Sequence, residues 1–115
     1  MNQKLPKNIR LCDESLIESL FKKGEKIQHG AISLRYLPSE TFRVGFGAPK
    51  RKFHKAVERN RIKRLLREAF RLHYEDVLKK DYKGFGYFIF NGNACVSFDE
   101  IENSMIEIMK AWKVI

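Results

Sequence analysis

The sequence of 115 residues contains little cysteine, little proline and no long hydrophobic run. Its two cysteines, Cys12 and Cys95, are far apart and form no CxxC pattern, which favours reduced thiols over a disulfide. No apolar run approaches the ~18 residues that span a membrane, and the first ten residues lack the apolar core of a signal peptide. We therefore expect a protein that stays in the cytoplasm.

Motifs of protein-based catalysis are missing as well. His29, His54 and His73 share no metal-ligand spacing, and the carboxylates form no D-x-D pair that would hold two metals for phosphodiester cleavage. Neither a GxSxG motif nor a Gly-rich phosphate loop occurs. The sequence thus predicts no catalytic residue and no metal ligand in this chain.

Acidic residues are scarce in one segment in particular. The stretch from Lys50 to Arg71, KRKFHKAVERNRIKRLLREAFR, has ten basic residues against Glu58 and Glu68. Its excess of eight positive charges accounts for nearly all of the net +9 of the chain. A concentrated cationic surface on an ordered element is what a polyanion binds, so a nucleic acid or an acidic membrane surface is the expected partner.

The hydrophobic pattern predicts one α+β domain over residues 1–115, with an extended arm at residues 1–12. Asp13 is placed to cap a helix that Gly24 ends. Two alternating runs follow and are expected to pair as an antiparallel hairpin. The first has Ile32, Leu34 and Tyr36 on one face, and the second has Phe42, Val44, Phe46 and Ala48 on one face.

The second half of the chain predicts helix, strand and helix. Ile62 to His73 have helical spacing, residues 87–90 form a short apolar strand, and the Ser97–Glu100 capping box opens a last helix. The fold class is then a two-layer α–β sandwich. Its helices pack on a small mixed sheet, and the element order is α-β-β-(β)-α-β-α.

The basic helix can be seated by its apolar face and still present cations. With about 100° per residue, Arg59, Lys63 and Arg67 flank the apolar face, and Arg61 lies on its other flank. A second stripe points away from the core and contains Asn60, Arg64, Arg67 and Arg71. A helix built for solubility would mix charges of both signs. The abundant arginine instead favours bidentate contacts to phosphate.

The string KAVERNRIKRLLREAFR resembles the signature of the bacterial ribonuclease P protein subunit, centred on Arg59-Asn60-Arg61. The resemblance covers most of the chain and includes Phe21-Lys22-Lys23-Gly24 and Arg43-Val44-Gly45. It implies a left-handed βαβ crossover, against the usual right-handed rule. It also implies a protein that assists a catalytic RNA, holding most of the Mg²⁺, in removing the 5′ leader of precursor tRNA. A monomer in a 1:1 ribonucleoprotein is our default expectation. The chain is then part of an endoribonuclease whose chemistry the RNA performs.

The resemblance also implies two sets of binding residues. The RNA-binding set is Lys50, Arg51, Lys52, Lys55, Arg59, Asn60, Arg61, Lys63, Arg64, Arg67 and Arg71. A cleft between the sheet and the first helix would hold the leader, lined by Ile17, Phe21, Tyr36, Lys63 and Arg67. Phe42, Phe46 and Phe88 are expected in the core. The segment 48–54 is one residue longer than the common family form, and Ile17 stands where the family often has an aromatic residue.

Three other functions share the same charge. The first alternative is a ribosomal or other structured-RNA-binding protein without a catalytic role; it needs no cleft for a single strand. A DNA-binding regulator would usually show a helix-turn-helix pair, which the pattern lacks. A membrane-surface helix is disfavoured because so short a domain needs that apolar face for its core.

Overall fold

The computed structural model describes residues 9–11, 13–78 and 82–113, and these form three helices and a four-stranded sheet. In chain order the elements are α1 (Glu14–Lys23), β1 (Glu25–His29), β2 (Ile32–Leu37), β3 (Phe42–Gly47), α2 (Ala56–Leu78), β4 (Gly84–Phe90) and α3 (Phe98–Lys113). The predicted α+β class and element order are confirmed. Most of the predicted N-terminal arm, and Cys12, lie outside the described residues. Within the arm, the Leu11 amide donates to the Val44 carbonyl oxygen beside β3 (2.7 Å).

Local signals set the ends of α1 and α3, as predicted. Asp13 Oδ1 accepts from the amides of Ser15 (2.9 Å) and Leu16 (3.4 Å), which satisfies two free donors at the start of α1. The Ser97 hydroxyl accepts from the Glu100 amide (3.3 Å) and caps α3 in the same way. These contacts are encoded within four residues, so the sequence pattern is sufficient to predict them.

The strand order is β1-β2-β4-β3, and it corrects one prediction. The expected hairpin between the runs at 32–36 and 42–48 is wrong, because β4 lies between β2 and β3, antiparallel to the first and parallel to the second. β2 instead forms its hairpin with β1 through a tight turn at Gly30, whose φ of 59° favours glycine. β4 takes the position next to β2 because its apolar residues cover both faces, as a central strand requires.

The helices pack on the two faces of the sheet. Phe70 of α2 and Trp112 of α3 contact Phe88 on one face, with ring centroids 5.4 and 6.2 Å apart. Phe46 also packs on Phe70, so the predicted core positions are confirmed. On the other face, Phe21 of α1 contacts Tyr87. Helices α2 and α3 therefore cover one face of the sheet, and α1 lies on the other.

Helix α2 connects the parallel neighbours β3 and β4. This is the βαβ connection that the family resemblance implies; its left-handed sense stays a prediction. Among the described residues, no helix is both long enough and apolar enough to cross a bilayer.

Candidate nucleic-acid interface

Helix α2 is anchored by one apolar side and exposes a cationic side, as its periodicity predicts. Ile62, Leu66, Ala69 and Phe70 are fully buried. Four residues of the polar side are exposed and three are half-buried; the exposed ones are Asn60, Arg61, Arg64 and Arg67, and the half-buried ones are Arg59, Lys63 and Arg71. The burial of the apolar side orients these cations away from the core, so the folded helix can bind a polyanion through its exposed side.

The cations of α2 differ in what they already bind. Within the described part of the chain, Arg64 and Arg67 make no hydrogen bond or ion pair. Arg71 Nε donates to Glu68 Oε2 (3.1 Å), and a second bond joins Arg71 Nη2 to Glu68 Oε1. The hydrogen bond from Arg71, together with its charge, holds the pKa of the Glu68 carboxyl below its usual value. Arg71 is thus partly neutralised, and Arg64 and Arg67 carry the full charge that a phosphate would meet.

Arg59 and Arg61 donate to the carbonyls of two loops. Arg59 Nη1 donates to the carbonyl oxygens of Phe53 (2.8 Å) and His54 (2.9 Å), just before α2 begins. Arg61 donates through Nη1 to the Ala94 carbonyl oxygen and through Nη2 to that of Val96, both at 2.9 Å. Both arginines were predicted as RNA-binding residues from the Arg-Asn-Arg motif, and their bonds within the chain were not foreseen.

The loop before α2 presents its basic residues to solvent. Lys50, Arg51, Lys52 and Lys55 are exposed, and Lys52 Nζ donates to the Asn91 carbonyl oxygen. Phe53 is buried among them, 2% exposed, and its ring stacks on Phe90 at 6.0 Å. One buried aromatic anchor therefore holds the loop, and its cations extend the basic surface of α2.

The opposite face of the sheet carries a small apolar cleft beside α1. Its volume is about 340 Å³. Phe21, which is 42% exposed, meets the Tyr87 ring edge to face at 5.8 Å. Burial raises the pKa of the Tyr87 hydroxyl, so this ring stays neutral at physiological pH. The cleft is lined by Phe21, Gly47, Ala48, Pro49, Tyr87 and Ile89. An exposed aromatic ring beside a groove is the surface on which an unpaired base stacks.

The structure corrects the predicted lining of this cleft at Tyr36. Tyr36 pairs with Gly86 across the sheet and its ring lies 6.4 Å from that of Trp112, so it belongs to the face covered by α3. Side chains alternate along a strand, and the neighbour Arg35 therefore lies on the cleft face, directly opposite Tyr87. Tyr87 and Arg35 were missed, although the predicted alternation of Ile32, Leu34 and Tyr36 already contained the signal for Arg35.

The other predicted cleft residues are divided between the two faces. Ile17 and Phe21 share a side of α1, one helical turn apart. Lys63 and Arg67 belong to α2, which packs on the opposite face of the sheet, and they lie with the α2 cations. Phe21 lines the cleft, Ile17 lies one turn before it on α1 without being one of the lining residues, and Lys63 and Arg67 lie on α2.

A pair of like charges borders the cleft face. Lys26 of β1 and Arg35 of β2 are directly opposite in antiparallel register. Residues 9–11, 13–78 and 82–113 form three ion pairs, and neither Lys26 nor Arg35 takes part in any of them. Like charges directly opposite one another destabilise a sheet. An anion bound between them would remove that repulsion, so this position is suited to a phosphate.

Metal ligands are not grouped in the part of the chain that the structure describes: no three of its His, Cys, Asp and Glu residues are placed to hold an ion. Cys95 is a free, exposed thiol. The geometry therefore supports binding through cations and aromatic rings.

Comparisons with known proteins agree with this geometry. The ribonuclease P family model matches residues 5–113. The chain is similar to the ribonuclease P protein component of Borrelia hermsii, 33% identical over 112 residues that cover 90% of this chain and 95% of the relative. A shorter match to the component of Nitrosococcus oceani is 40% identical over 65 residues, which is 55% of each chain.

Solved structures show the same fold. The RNase P protein of Staphylococcus aureus superposes with a TM-score of 0.77 at 24% identity, covering 94% of this chain and 98% of that one. The RNase P protein of Thermotoga maritima gives a TM-score of 0.70 at 25% identity, with coverages of 89% and 96%.

Proposed function

Because the chain belongs to the ribonuclease P protein family, we propose that it binds the family's catalytic RNA together with the 5′ leader of precursor tRNA. It then acts as the protein component of a cytoplasmic tRNA-processing endoribonuclease, as a monomer in a 1:1 ribonucleoprotein. The RNA holds the Mg²⁺ and performs the cleavage. The protein supplies binding energy and positive charge.

The observation that carries this proposal is the separation of two binding surfaces by the sheet. The α2 side offers exposed cations, and its half-buried Tyr74 ring is already stacked on Phe70 and Phe42, so this side suits the phosphates of a folded RNA. The α1 side offers Phe21 and Tyr87 beside Arg35 and Lys26, and a single strand needs this combination of stacking surface and nearby cations. A protein that only clamps folded RNA has no use for the second surface.

The cleft would discriminate precursor from mature tRNA. Only the precursor has a leader, so contacts in the cleft add affinity for the substrate and none for the product. One stacked base contributes about 1–3 kcal/mol, which corresponds to a roughly 5- to 150-fold preference. Cations on α2 act differently, because they raise affinity for the catalytic RNA whichever tRNA is bound.

The first experiment asks whether the protein assists the RNA at all. Single-turnover cleavage of a precursor tRNA by a bacterial ribonuclease P RNA is measured at low Mg²⁺, with and without the protein. We expect the protein to restore cleavage at the mature 5′ end and the double variant Arg64→Ala/Arg67→Ala to restore much less. A folded protein that binds the RNA without restoring cleavage would instead support a structural RNA-binding role.

The second experiment tests the cleft. Phe21→Ala should weaken binding of precursor tRNA by about 5- to 150-fold, with mature tRNA unchanged. Leu72→Ala is the matched control, since Leu72 is a similarly exposed hydrophobic residue (45% against 42%) on α2. Equal effects of Phe21→Ala on the two tRNAs would contradict leader binding there.

The same assay separates the cations. Arg35→Ala should reduce precursor binding selectively, whereas Arg64→Ala should weaken both complexes by weakening assembly with the RNA. Arg67→Ala, assigned to the leader from sequence, is now expected to behave like Arg64→Ala, because α2 packs on the face away from Phe21. Selective loss of precursor binding with Arg67→Ala would restore the original assignment.

A further inference from the structure

The carbonyls that receive Arg59 and Arg61 belong to the two loops that precede α2 and α3. The β3–α2 loop covers residues 48–55 and the β4–α3 loop covers residues 91–97. Each loop has a buried side chain, Phe53 in the first and Val96 in the second. The carbonyls beside these anchors have no sheet ladder to join. The bonds at Phe53 and Val96 are partly buried, and those at His54 and Ala94 are exposed. Partly buried backbone carbonyls require donors. The two arginines supply them.

We propose that Arg59 and Arg61 are positioning residues, which set the arrangement of the two loops and thereby of the basic surface. Their guanidinium groups are directed to carbonyls of the chain itself and are not the primary phosphate contacts. The inference rests on the proposed function only in that the surface so arranged is the one that binds the catalytic RNA. The contacts of the RNA are then made by exposed residues such as Arg64, Arg67, Lys50 and Lys55.

The geometry of Arg61 requires arginine. Its Nη1 and Nη2 each donate to a different carbonyl, two residues apart in the chain, at equal distances of 2.9 Å. A planar fork can reach both oxygens at once, whereas the ammonium of lysine is a point charge on a flexible stem. Two of the five N–H donors of Arg61 are thus engaged with carbonyls of the chain. The loop therefore fixes the orientation of the guanidinium, and fewer of its donors are left for a phosphate.

A third basic residue joins the two loops directly. Lys52 lies in the β3–α2 loop, and its Nζ donates to the Asn91 carbonyl oxygen at the start of the β4–α3 loop. The stacking of Phe53 on Phe90 brings the same two segments together below the surface. The loops, the first turns of α2 and the end of β4 are consequently one connected unit, and Arg59 and Arg61 hold it from the helix side.

The β4–α3 loop has no charge of its own in this unit. Its sequence, NGNACVS, contains no Lys or Arg. The loop can therefore affect the binding of a polyanion only through the positions that it gives to neighbouring residues. If the β4–α3 loop loses its bonds to Arg61, the charges of α2 stay in place. The β3–α2 loop, which Lys52 joins to the β4–α3 loop, would then shift relative to the exposed cations of α2. A positioning role therefore predicts loss of affinity without loss of a phosphate contact.

The salt dependence of RNA binding separates the two roles. Affinity of the full-length protein for the catalytic RNA is measured over a range of salt concentrations for Arg61→Ala, Arg61→Lys, Arg64→Ala and Arg64→Lys. The logarithm of the association constant falls linearly as the logarithm of the salt concentration rises. Removing one phosphate contact makes this slope less steep by about 1. We expect this for Arg64→Ala, whereas Arg64→Lys keeps the positive charge and should keep the wild-type slope.

For Arg61 we expect the opposite pattern. Arg61→Ala and Arg61→Lys should both weaken binding by a similar factor, about tenfold (1.4 kcal/mol), with the wild-type slope retained. The inference is overturned if Arg61→Lys binds like wild type and Arg61→Ala makes the slope less steep by about 1. The charge of Arg61 alone would then account for its contribution to RNA binding.

Amide hydrogen exchange of the free protein provides the readout that does not depend on RNA. In Arg61→Lys, exchange in residues 93–96 should accelerate about tenfold or more while the amides of β4 stay protected, which also shows that the variant is folded. Arg59→Lys should accelerate exchange in residues 52–55 instead. Unchanged exchange in both variants overturns the inference. If wild-type protein fails to bind the catalytic RNA, the proposed function fails, and the exchange result still decides whether these arginines hold the loops.

Discussion

The cleft on the α1 side depends on a ring that lies against two glycines, so an added methyl group there should be costly. A Cβ at Gly47 would lie 2.5 Å from Tyr87 Oη, 2.9 Å from Cε2 and 3.0 Å from Cζ. Gly45 contacts the other side of the same ring, where a Cβ would lie 2.6 Å from Cδ1. In Gly47→Ala the Tyr87 ring must therefore move away from β3, which also changes its contact with Phe21.

The magnitude follows from two opposed effects. Overpacking of this kind costs about 1–3 kcal/mol. Gly47 is not among the glycines with positive φ, so alanine fits its backbone and recovers about 0.4–1 kcal/mol by restricting the unfolded chain. We expect a net loss of about 1–2 kcal/mol in the free energy of unfolding. The tilted ring should also narrow the cleft and weaken binding of precursor tRNA relative to mature tRNA.

Urea denaturation measures the loss, and a double-mutant cycle assigns it. With a slope of about 1–3 kcal/mol/M, the urea midpoint of Gly47→Ala should fall by roughly 0.3–2 M. In a Tyr87→Ala background the same substitution should cost nothing or stabilise the protein, giving a coupling energy of about 1 kcal/mol or more. An equal cost of Gly47→Ala in both backgrounds would refute the reasoning, because the ring would then not be what resists the methyl group.

Two further predictions concern stability. Phe70→Ala should lower the free energy of unfolding by about 3–5 kcal/mol, since Phe70 is fully buried with rings of Phe46 at 5.7 Å and Phe88 at 5.4 Å; a loss below about 1 kcal/mol in thermal or urea denaturation would contradict this packing. Burial raises the pKa of Tyr87 above its ordinary 10.0, so its neutral form stabilises the fold below pH 10 and this stability is lost as pH rises through the folded pKa. Between about pH 9 and pH 11, Tyr87→Phe should therefore lose less stability than wild type, and equal losses would show that Tyr87 is not desolvated.

The sequence was sufficient where the physical cause lies within a few residues. Asp13 and Ser97 cap helices through their own neighbours, and helical spacing identified the buried side of α2. The basic segment could be recognised as an interface for the same reason, because charge and period are both properties of a single helix.

Strand pairing could not be predicted from the same signals. Every strand offers donors and acceptors on both edges, so alternation determines which residues share a face but leaves the neighbour open. The neighbour depends on how many faces of each strand must be covered, and β4, apolar on both, took the place between β2 and β3. The error at Tyr36 has a related cause: the pattern placed Tyr36 with Leu34, and only the positions of α1 and α3 show that this face is the core.

What the sequence by itself determined is the set of elements, the cationic helix and its resemblance to ribonuclease P proteins, because these depend on local spacing and composition. What only the tertiary structure decided is which side chains meet across the sheet and which cations are already bound within the chain. Arg35 opposite Tyr87 joins residues 52 positions apart, and Arg61 meets carbonyls 33 and 35 residues away. Such contacts arise from the packing of several elements at once, and no periodicity in one segment can specify them.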